Sequence, residues 1–314
     1  MKTCIIFNPY SGRNRRRPGL AAAIRDFIRT RALDAHVATT EGPGHATELA
    51  RAAAAAGHGV VVAVGGDGTM NEVAQGLVNT PAALALVPCG SGNGLALHLG
   101  LPRSPFEALR LATGAGARIG AIDTGTANGH PFFNAMGLGL DADVSRRFNL
   151  LTRRGLPGYA RVGLAVLREL HMERCQITCG ARVENHEILL VAVANSDQYG
   201  NHARIAPGAR VDDGRLDLVA VKAVGLGAAA TLVPRLFLGN IDRSPHVVRM
   251  TGPRFVIERV APGVIHTDGE THATGARVEV VVLPRSLRLL IPAHSRALAS
   301  LVAPARARFA LQLP

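Results

Sequence analysis

Gly65-Gly66-Asp67-Gly68-Thr69 stands between an apolar run, Val60 to Val64, and a segment of helical spacing that begins at about Met70. Glycines let a backbone turn sharply and approach a ligand, and the N–H groups at a helix start attract anions, so a phosphate is the natural guest. Asp67 has two chemistries open to it there. It can hold Mg²⁺, directly or through water, or accept a proton from an attacking hydroxyl. The plainer reading is a strand-to-helix turn with Asp67 as its cap. The next apolar run, Ala83 to Val87, leads into a second small-residue loop, Pro88-Cys89-Gly90-Ser91-Gly92-Asn93-Gly94, in which Ser91 can donate to a phosphate oxygen. Two such loops on successive strands open at the same sheet edge.

Other patterns carry less. No GxxxxGK[ST], GxSxG or HExxH occurs, which removes the Walker loop and the common serine-hydrolase and zinc-protease signatures. Gly225 to Ala230 reads GxGxxA before a helical stretch, but no βαβ alternation follows, so ordinary helix–strand packing is the better reading. His171, Cys175 and Cys179 recur at a spacing of four and could line one helical face as metal ligands. No fourth ligand is evident, which favours a simple cluster.

The elements that must position these loops alternate along the first third of the chain. Short apolar strands at Thr3 to Phe7, Ala35 to Ala38, Val60 to Val64 and Ala83 to Val87 are separated by helical segments at Leu20 to Arg31, His45 to Ala56 and Met70 to Leu77, with a short helix at Leu95 to Leu99. That order predicts a doubly wound α/β domain with a parallel sheet, whose ligands bind beyond the carboxyl ends of the strands. The loops there are Asn8 to Asn14, Gly65 to Asn71 and Pro88 to Gly94.

After about Gly120 the pattern becomes mostly antiparallel β. A hairpin is expected from Ile119 to Met136 with Asn128-Gly129 as its turn. Strands are expected at Arg182 to Val193, interrupted at Asn185-His186, and at Leu216 to Val221, His246 to Met250, Phe255 to Glu258, Arg277 to Leu283 and Leu287 to Ile291. A helix spans Leu226 to Leu238, and an alanine- and leucine-rich helical tail follows Ala293. The domains are therefore set at residues 1–120 and 121–314.

With 314 residues, 47% of them hydrophobic and 18% charged, the chain is too apolar for disorder and long enough for two cores. Its 35 Lys and Arg against 23 Asp and Glu leave a net charge of +12, which attracts an anionic partner: nucleic acid, phosphate or membrane surface. Aromatic residues at 4% with no Trp offer few stacking platforms, so nucleic acid is not expected. Four scattered cysteines fit a reducing compartment. The uncharged stretch from Val73 to Pro102 is broken by Pro81, Pro88 and several asparagines, so no spanning helix is expected.

Taken in order, these residues resemble the diacylglycerol kinase catalytic family, which includes sphingosine and ceramide kinases and bacterial lipid kinases. The match runs through Asn8-Pro9-Tyr10-Ser11-Gly12, Gly65 to Val73, Pro88 to Asn93, Asp123, Asn134 and Gly137 to Asp141. It continues through Pro207, Asp212-Asp213-Gly214, Leu216-Asp217 and Asp268-Gly269-Glu270. GGDGT alone is shared with NAD kinases and phosphofructokinases.

The resemblance implies a nucleotide-binding α/β domain and a C-terminal β-sandwich domain with Mg-ATP between them. It places nucleotide contacts at Asn8, Thr40, Gly65, Gly66, Asp67, Gly68, Thr69, Met70, Asn71 and Ser91. It also implies a structural Mg²⁺ held by the carbonyls of Arg210 and Arg215 with the carboxylate of Asp213, and Glu270 as proton acceptor. Many diacylglycerol kinases carry Asp after the Asn of the second loop. Here Gly94 follows Asn93, closer to sphingosine-kinase-like sequences, which leaves Asp67 and Asp123 for a water-linked Mg²⁺ site.

The expectation is an ATP-dependent lipid kinase acting on diacylglycerol or a sphingoid-like lipid. It would be cytoplasmic and peripheral to an anionic membrane, with Arg13, Arg15, Arg16 and Arg17 as contacts. A homodimer is left open. The rivals are an NAD kinase, disfavoured because no Thr-Ala-Tyr follows Gly90-Ser91, and a regulatory lipid- or nucleotide-binding protein of weak activity.

Overall fold

The computed structural model describes residues 2–114, 116–149, 172–293 and 295. Strands β1 (Thr3–Phe7), β2 (Ala35–Thr39), β3 (Val60–Gly65) and β4 (Ala83–Pro88) pair in parallel in the order β4-β3-β1-β2. Every residue of β1, β3 and β4 is buried, because helices cover both faces, and this is why they read as unbroken apolar runs. Helices α2 (His45–Ala55) and α3 (Asp67–Leu77) cover one face, packing Ala50, Met70, Val73 and Leu77 against Ile6, Val61 and Leu84. Helix α1 (Leu20–Thr30) covers the other with α5 (Pro105–Thr113), burying Leu20, Ile24, Phe27 and Leu109 against Ile5, Val62 and Val87. The short α4 (Gly94–His98) follows the second glycine loop.

The rest is a mainly antiparallel β-sandwich. Its elements are β5 (Ala117–Ala127), β6 (His130–Phe132), β7 (Ala135–Gly139), α6 (Leu140–Asn149), β8 (Glu173–Cys179), β9 (Arg182–Ala194), β10 (Leu216–Lys222), α7 (Leu226–Leu238), β11 (Val247–Gly252), β12 (Arg254–Arg259), β13 (Gly263–Thr267), β14 (Glu270–Thr274) and β15 (Arg277–Pro292). Phe132, Met136, Val191, Phe255, Ile265 and Val280 are among its core. Strand β15 belongs to both lobes. Its first half pairs with β12, and Leu289 pairs in parallel with Leu84 of β4. A register shift between Leu283 and Leu287, where β15 runs along β5, lets one strand bend from one lobe into the other.

Several expectations change. Helix α3 starts at Asp67, three residues before Met70, so the last three residues of GGDGT form its first turn. No break occurs at Asn185-His186: β9 runs through it, and the chain turns at Gly180-Ala181, with Gly180 at φ +60°. Cys175 and Cys179 lie on β8, not on a helix, with Cys175 buried in the sandwich core, so the helical metal face is not formed. His171 lies outside the described residues, as does the tail from residue 296. The Asn128-Gly129 turn forms, but its second strand stops at Phe132, and β7 pairs instead with β9 and β13. The two strands expected between Arg277 and Ile291 are one.

Candidate active site

Three loops meet at the carboxyl ends of β1, β3 and β4. The Gly66 and Gly90 backbones touch: a Cβ on Gly90 would stand 2.7 Å from Gly66 Cα and 2.8 Å from Asn93 Oδ1. Asp67 latches them. Its Oδ2 accepts the Asn93 N–H at 2.8 Å and its Oδ1 the Gly94 N–H at 3.0 Å. Burial raises the Asp67 pKa, and these N–H groups pull against that rise. Asn93, at φ +52°, closes its own loop by exchanging hydrogen bonds with the Gly90 backbone at 3.0 and 2.9 Å. Asn8 Nδ2 donates to Thr69 Oγ1 at 2.9 Å, tying the first loop to the same helix start.

Gly68 differs from these glycines. It sits in ordinary helical conformation, and a Cβ there would meet no protein atom within 4 Å. Nothing inside the protein therefore requires glycine at this position. The first-turn N–H groups of α3 have no carbonyl one turn back, and Gly66 at the N-cap has no side chain to cap them, though the Asp67 carboxylate takes its own N–H. A helix start that is open at Gly68 fits a phosphate.

Of the other expected nucleotide contacts, Thr40 and Asn71 are buried polar residues beside this edge, and Ser91 is exposed on its loop. Met70 does not offer a side-chain contact: it is packed in the α2/α3 core, and its N–H goes to Gly66 O at 3.0 Å. Arg13 and Arg17 lie close enough to Cys89 for their charge to act on its thiol, so the basic loop stands beside the second glycine loop.

The second lobe brings Glu270 to the cleft at the start of β14. Its side chain is exposed at the surface yet partly desolvated, which raises its pKa, and the negative charge of Glu72 raises it further. Glu72 lies four residues after Gly68, so both occupy one face of α3, and Glu270 is near enough to Glu72 to feel its charge. Glu72 Oε2 accepts the Ala46 N–H at 3.1 Å. Replacing Glu72 by Gln keeps that acceptor and removes the repelling charge. The Glu270 pKa is then expected to fall, which moves the acid limb of the rate–pH profile to lower pH; a profile unchanged by Glu72→Gln would deny that coupling.

Asp268, at φ +50°, sets the turn before Glu270. Its Oδ2 takes the Phe133 N–H at 2.7 Å, and its Oδ1 takes those of Asn134 and Ala135, each at 2.9 Å. Burial pushes its pKa up to about 6 despite those donors. The Asn134 side chain donates to Gln198 O at 2.8 Å within its own lobe and lies against Gly94 of the other. The Glu270 turn is thus connected through Asn134 to the loop that Asp67 holds.

Asp123 is fully buried, and both its oxygens are engaged by backbone donors. Its Oδ2 accepts the Gly214 N–H and its Oδ1 the Arg285 N–H, each at 2.7 Å, which ties the Asp212-Asp213-Gly214 turn to the β15 bulge. In that turn Asp213 Oδ1 accepts the Arg215 N–H at 3.0 Å. Burial raises the Asp213 pKa, and so do the nearby carboxylates of Asp217 and Asp123. A cation there would relieve that repulsion. Arg210 and Arg215 are exposed on either side. Among the described residues no group of three or more His, Cys, Asp or Glu gathers as a metal cluster, so such a site would depend on backbone carbonyls.

Two family models cover this arrangement: the diacylglycerol kinase catalytic domain over residues 2–127 and the YegS C-terminal NAD kinase beta sandwich-like domain over residues 134–291. The chain belongs to the diacylglycerol kinase catalytic family. It is 30% identical over 296 residues to "Diacylglycerol kinase" of Bacillus subtilis, covering 92% of this chain and 95% of that one. A "Probable lipid kinase YegS-like" of Pseudomonas aeruginosa is 33% identical over 263 residues, 82% of this chain and 85% of the other. The fold matches a crystal structure of a Bacillus anthracis diacylglycerol kinase at TM-score 0.69 and 22% identity, covering 93% and 97% of the two chains. An NAD kinase from Archaeoglobus fulgidus in complex with ATP shares the fold more distantly, at TM-score 0.52 and 14% identity over 92% and 93%. This lipid-kinase family membership supports a kinase-type phosphotransferase that uses ATP. Among the described residues no helix is long and apolar enough to cross a membrane.

Proposed function

We propose that the chain transfers the γ-phosphoryl group of Mg-ATP to the hydroxyl of a diacylglycerol or sphingoid-like lipid. One observation carries the reading: the start of α3 is unobstructed at Gly68, and Glu270 of the second lobe lies near enough to Glu72, one turn along that helix, for their charges to act on each other. Mg-ATP, when bound, supplies the phosphoryl group and a cation to balance its charge. The α3 N–H groups hold phosphate oxygens, and Arg13 and Arg17 add positive charge beside the second loop. Asp67 keeps the two glycine loops at their spacing. Glu270 takes the hydroxyl proton as the lipid oxygen attacks, and its raised pKa makes it a better base than an ordinary carboxylate. The test is transfer of label from radiolabelled ATP to a panel of diacylglycerol, monoacylglycerol, sphingosine, ceramide and phosphatidylglycerol. Labelled product from none of them would remove the proposal.

The Asp213 turn is the second element of the reading, as a structural Mg²⁺ site using the Arg210 and Arg215 carbonyls with the Asp213 carboxylate. A cation bound by the native state alone raises stability by mass action. The melting temperature of the parent is therefore expected to rise with Mg²⁺, and Asp213→Ala is expected to abolish that rise. An equal rise in both proteins would place the cation elsewhere. Arg13, Arg15, Arg16 and Arg17 are all exposed and suit contact with anionic headgroups near the cleft.

A further inference from the structure

Helix α7 carries an apolar surface that the sandwich does not cover. Ala229 and Leu232 pack inward, whereas Val233, Phe237 and Leu238 stand 48%, 49% and 73% exposed, joined by exposed Pro234. Val233 and Phe237 are one turn apart, so these side chains make a continuous ridge at the carboxyl end of the helix. Arg235 lies in the last turn, and Arg243 is exposed on the turn that packs against α7. Among the described residues neither pairs with a carboxylate.

The ridge is close to the active site in structure. Leu236 O accepts the Arg204 N–H at 2.9 Å, and the Arg204 side chain lies against Gly239 at the helix end. One residue back, Ala203 bridges to Gly200, and Gly200 bridges to Asn93 of the second glycine loop. Arg103 and His202 meet beside it at 2.6 Å. The second glycine loop therefore has both Arg13 and Arg17 and the strap from Gly200 to α7 as neighbours.

We infer that the carboxyl end of α7 inserts Phe237 and Leu238 into the interface of an anionic bilayer, holding the cleft beside it against the membrane. This rests on the lipid-kinase reading for its purpose, though not for its physics. An apolar patch rimmed by cations, next to a site whose acceptor lies in a bilayer, is complementary to anionic headgroups over acyl chains. Basic residues alone give contacts that salt screens; an inserted apolar pair gives a component that salt does not remove.

The chain contains no tryptophan, so Phe237→Trp introduces a single reporter of its kind. Its emission is expected to shift to the blue, and to be quenched by brominated acyl chains, when phosphatidylcholine vesicles containing phosphatidylglycerol are added. Phe237→Ser with Leu238→Ser is expected to weaken co-sedimentation with those vesicles about tenfold or more at high salt, where the arginine contribution is screened. Its turnover of a short-chain, water-soluble diacylglycerol should stay at the parent level. Emission from the Phe237→Trp variant that vesicles leave unmoved, or parent-like sedimentation of the serine variant, overturns the inference. So does a parent dimer that the serine variant dissociates while vesicle binding persists, since the ridge would then be a contact between copies. Absence of any lipid phosphorylation by the parent would defeat the kinase reading and leave the spectral result standing by itself.

Discussion

Glu270→Gln is expected to lower kcat by about 10²- to 10⁴-fold, the contribution of a well-placed general base, while ATP affinity stays near that of the parent. The amide has nearly the same shape and cannot accept the hydroxyl proton. Glu270 sits outside the cluster of glycine loops, at the start of β14, so its loss should not disturb the nucleotide side. The parent profile should also show the origin of the effect. Partial desolvation and Glu72 hold the Glu270 pKa above that of an ordinary glutamate, so the active, ionised form is lost at a higher pH than for a free side chain. Below that limb, rate falls as the base protonates. Glu270→Gln should abolish the limb along with the rate. A variant that loses ATP binding and keeps kcat would assign Glu270 to the nucleotide.

Asp67→Ala is expected to remove phosphoryl transfer and to lower stability by about 3 kcal/mol or more, because two charge-assisted hydrogen bonds contribute about 1.5 to 3 kcal/mol each. The Asn93 and Gly94 N–H groups would be left without their acceptor, and the second glycine loop would lose its spacing from the first. Asp67→Asn keeps one acceptor oxygen and turns an NH₂ toward the other donor, so it should fall between Ala and parent in melting temperature. Turnover that tracks the melting temperatures across the three proteins assigns Asp67 to the latch. Turnover lost equally in Asn and Ala, whatever their stabilities, assigns its ionised carboxylate to the chemistry. Full turnover in Asp67→Ala would exclude both roles.

What can be read in the amino-acid order is what local rules govern. Buried parallel strands announce themselves as apolar runs, so β1, β3 and β4 are legible to within a residue, and the two glycine loops follow from the residues that end them. The start of α3 is harder, because Gly68 and Thr69 are poor helix formers and only the ligand-facing end makes an open first turn useful. Asn185-His186 looks like a turn and is strand because β8 pairs with β9 straight through it, Gln176 opposite Asn185 and Cys175 opposite His186, a tertiary preference that overrides the local one. Cys175 and Cys179 keep a common face at a spacing of four in a strand as well as approximately in a helix, so their spacing alone could not choose. Asn93, Asn134 and Glu72 acquire their jobs from partners far along the chain: Asn134 from Asp268, and Glu72 from Glu270. Only the Asn-Gly and Asp-Gly steps hint at two of these places, as positions that tolerate a left-handed backbone.

Strand β15 carries a consequence for how this protein is made. The N-terminal lobe leaves the ribosome with one side of β4 unpaired, and its partner Leu289 emerges roughly two hundred residues later. Leu287, Leu289 and Ile291 also complete the core beneath α2 and α3, while Leu290 fills the opposite one. A nascent chain that has finished the nucleotide-binding elements still exposes an apolar edge of the kind that pairs with other chains. Folding therefore closes from the last-made strand back onto the first-made lobe, and a message truncated before Arg277 should yield an aggregating fragment instead of a soluble half.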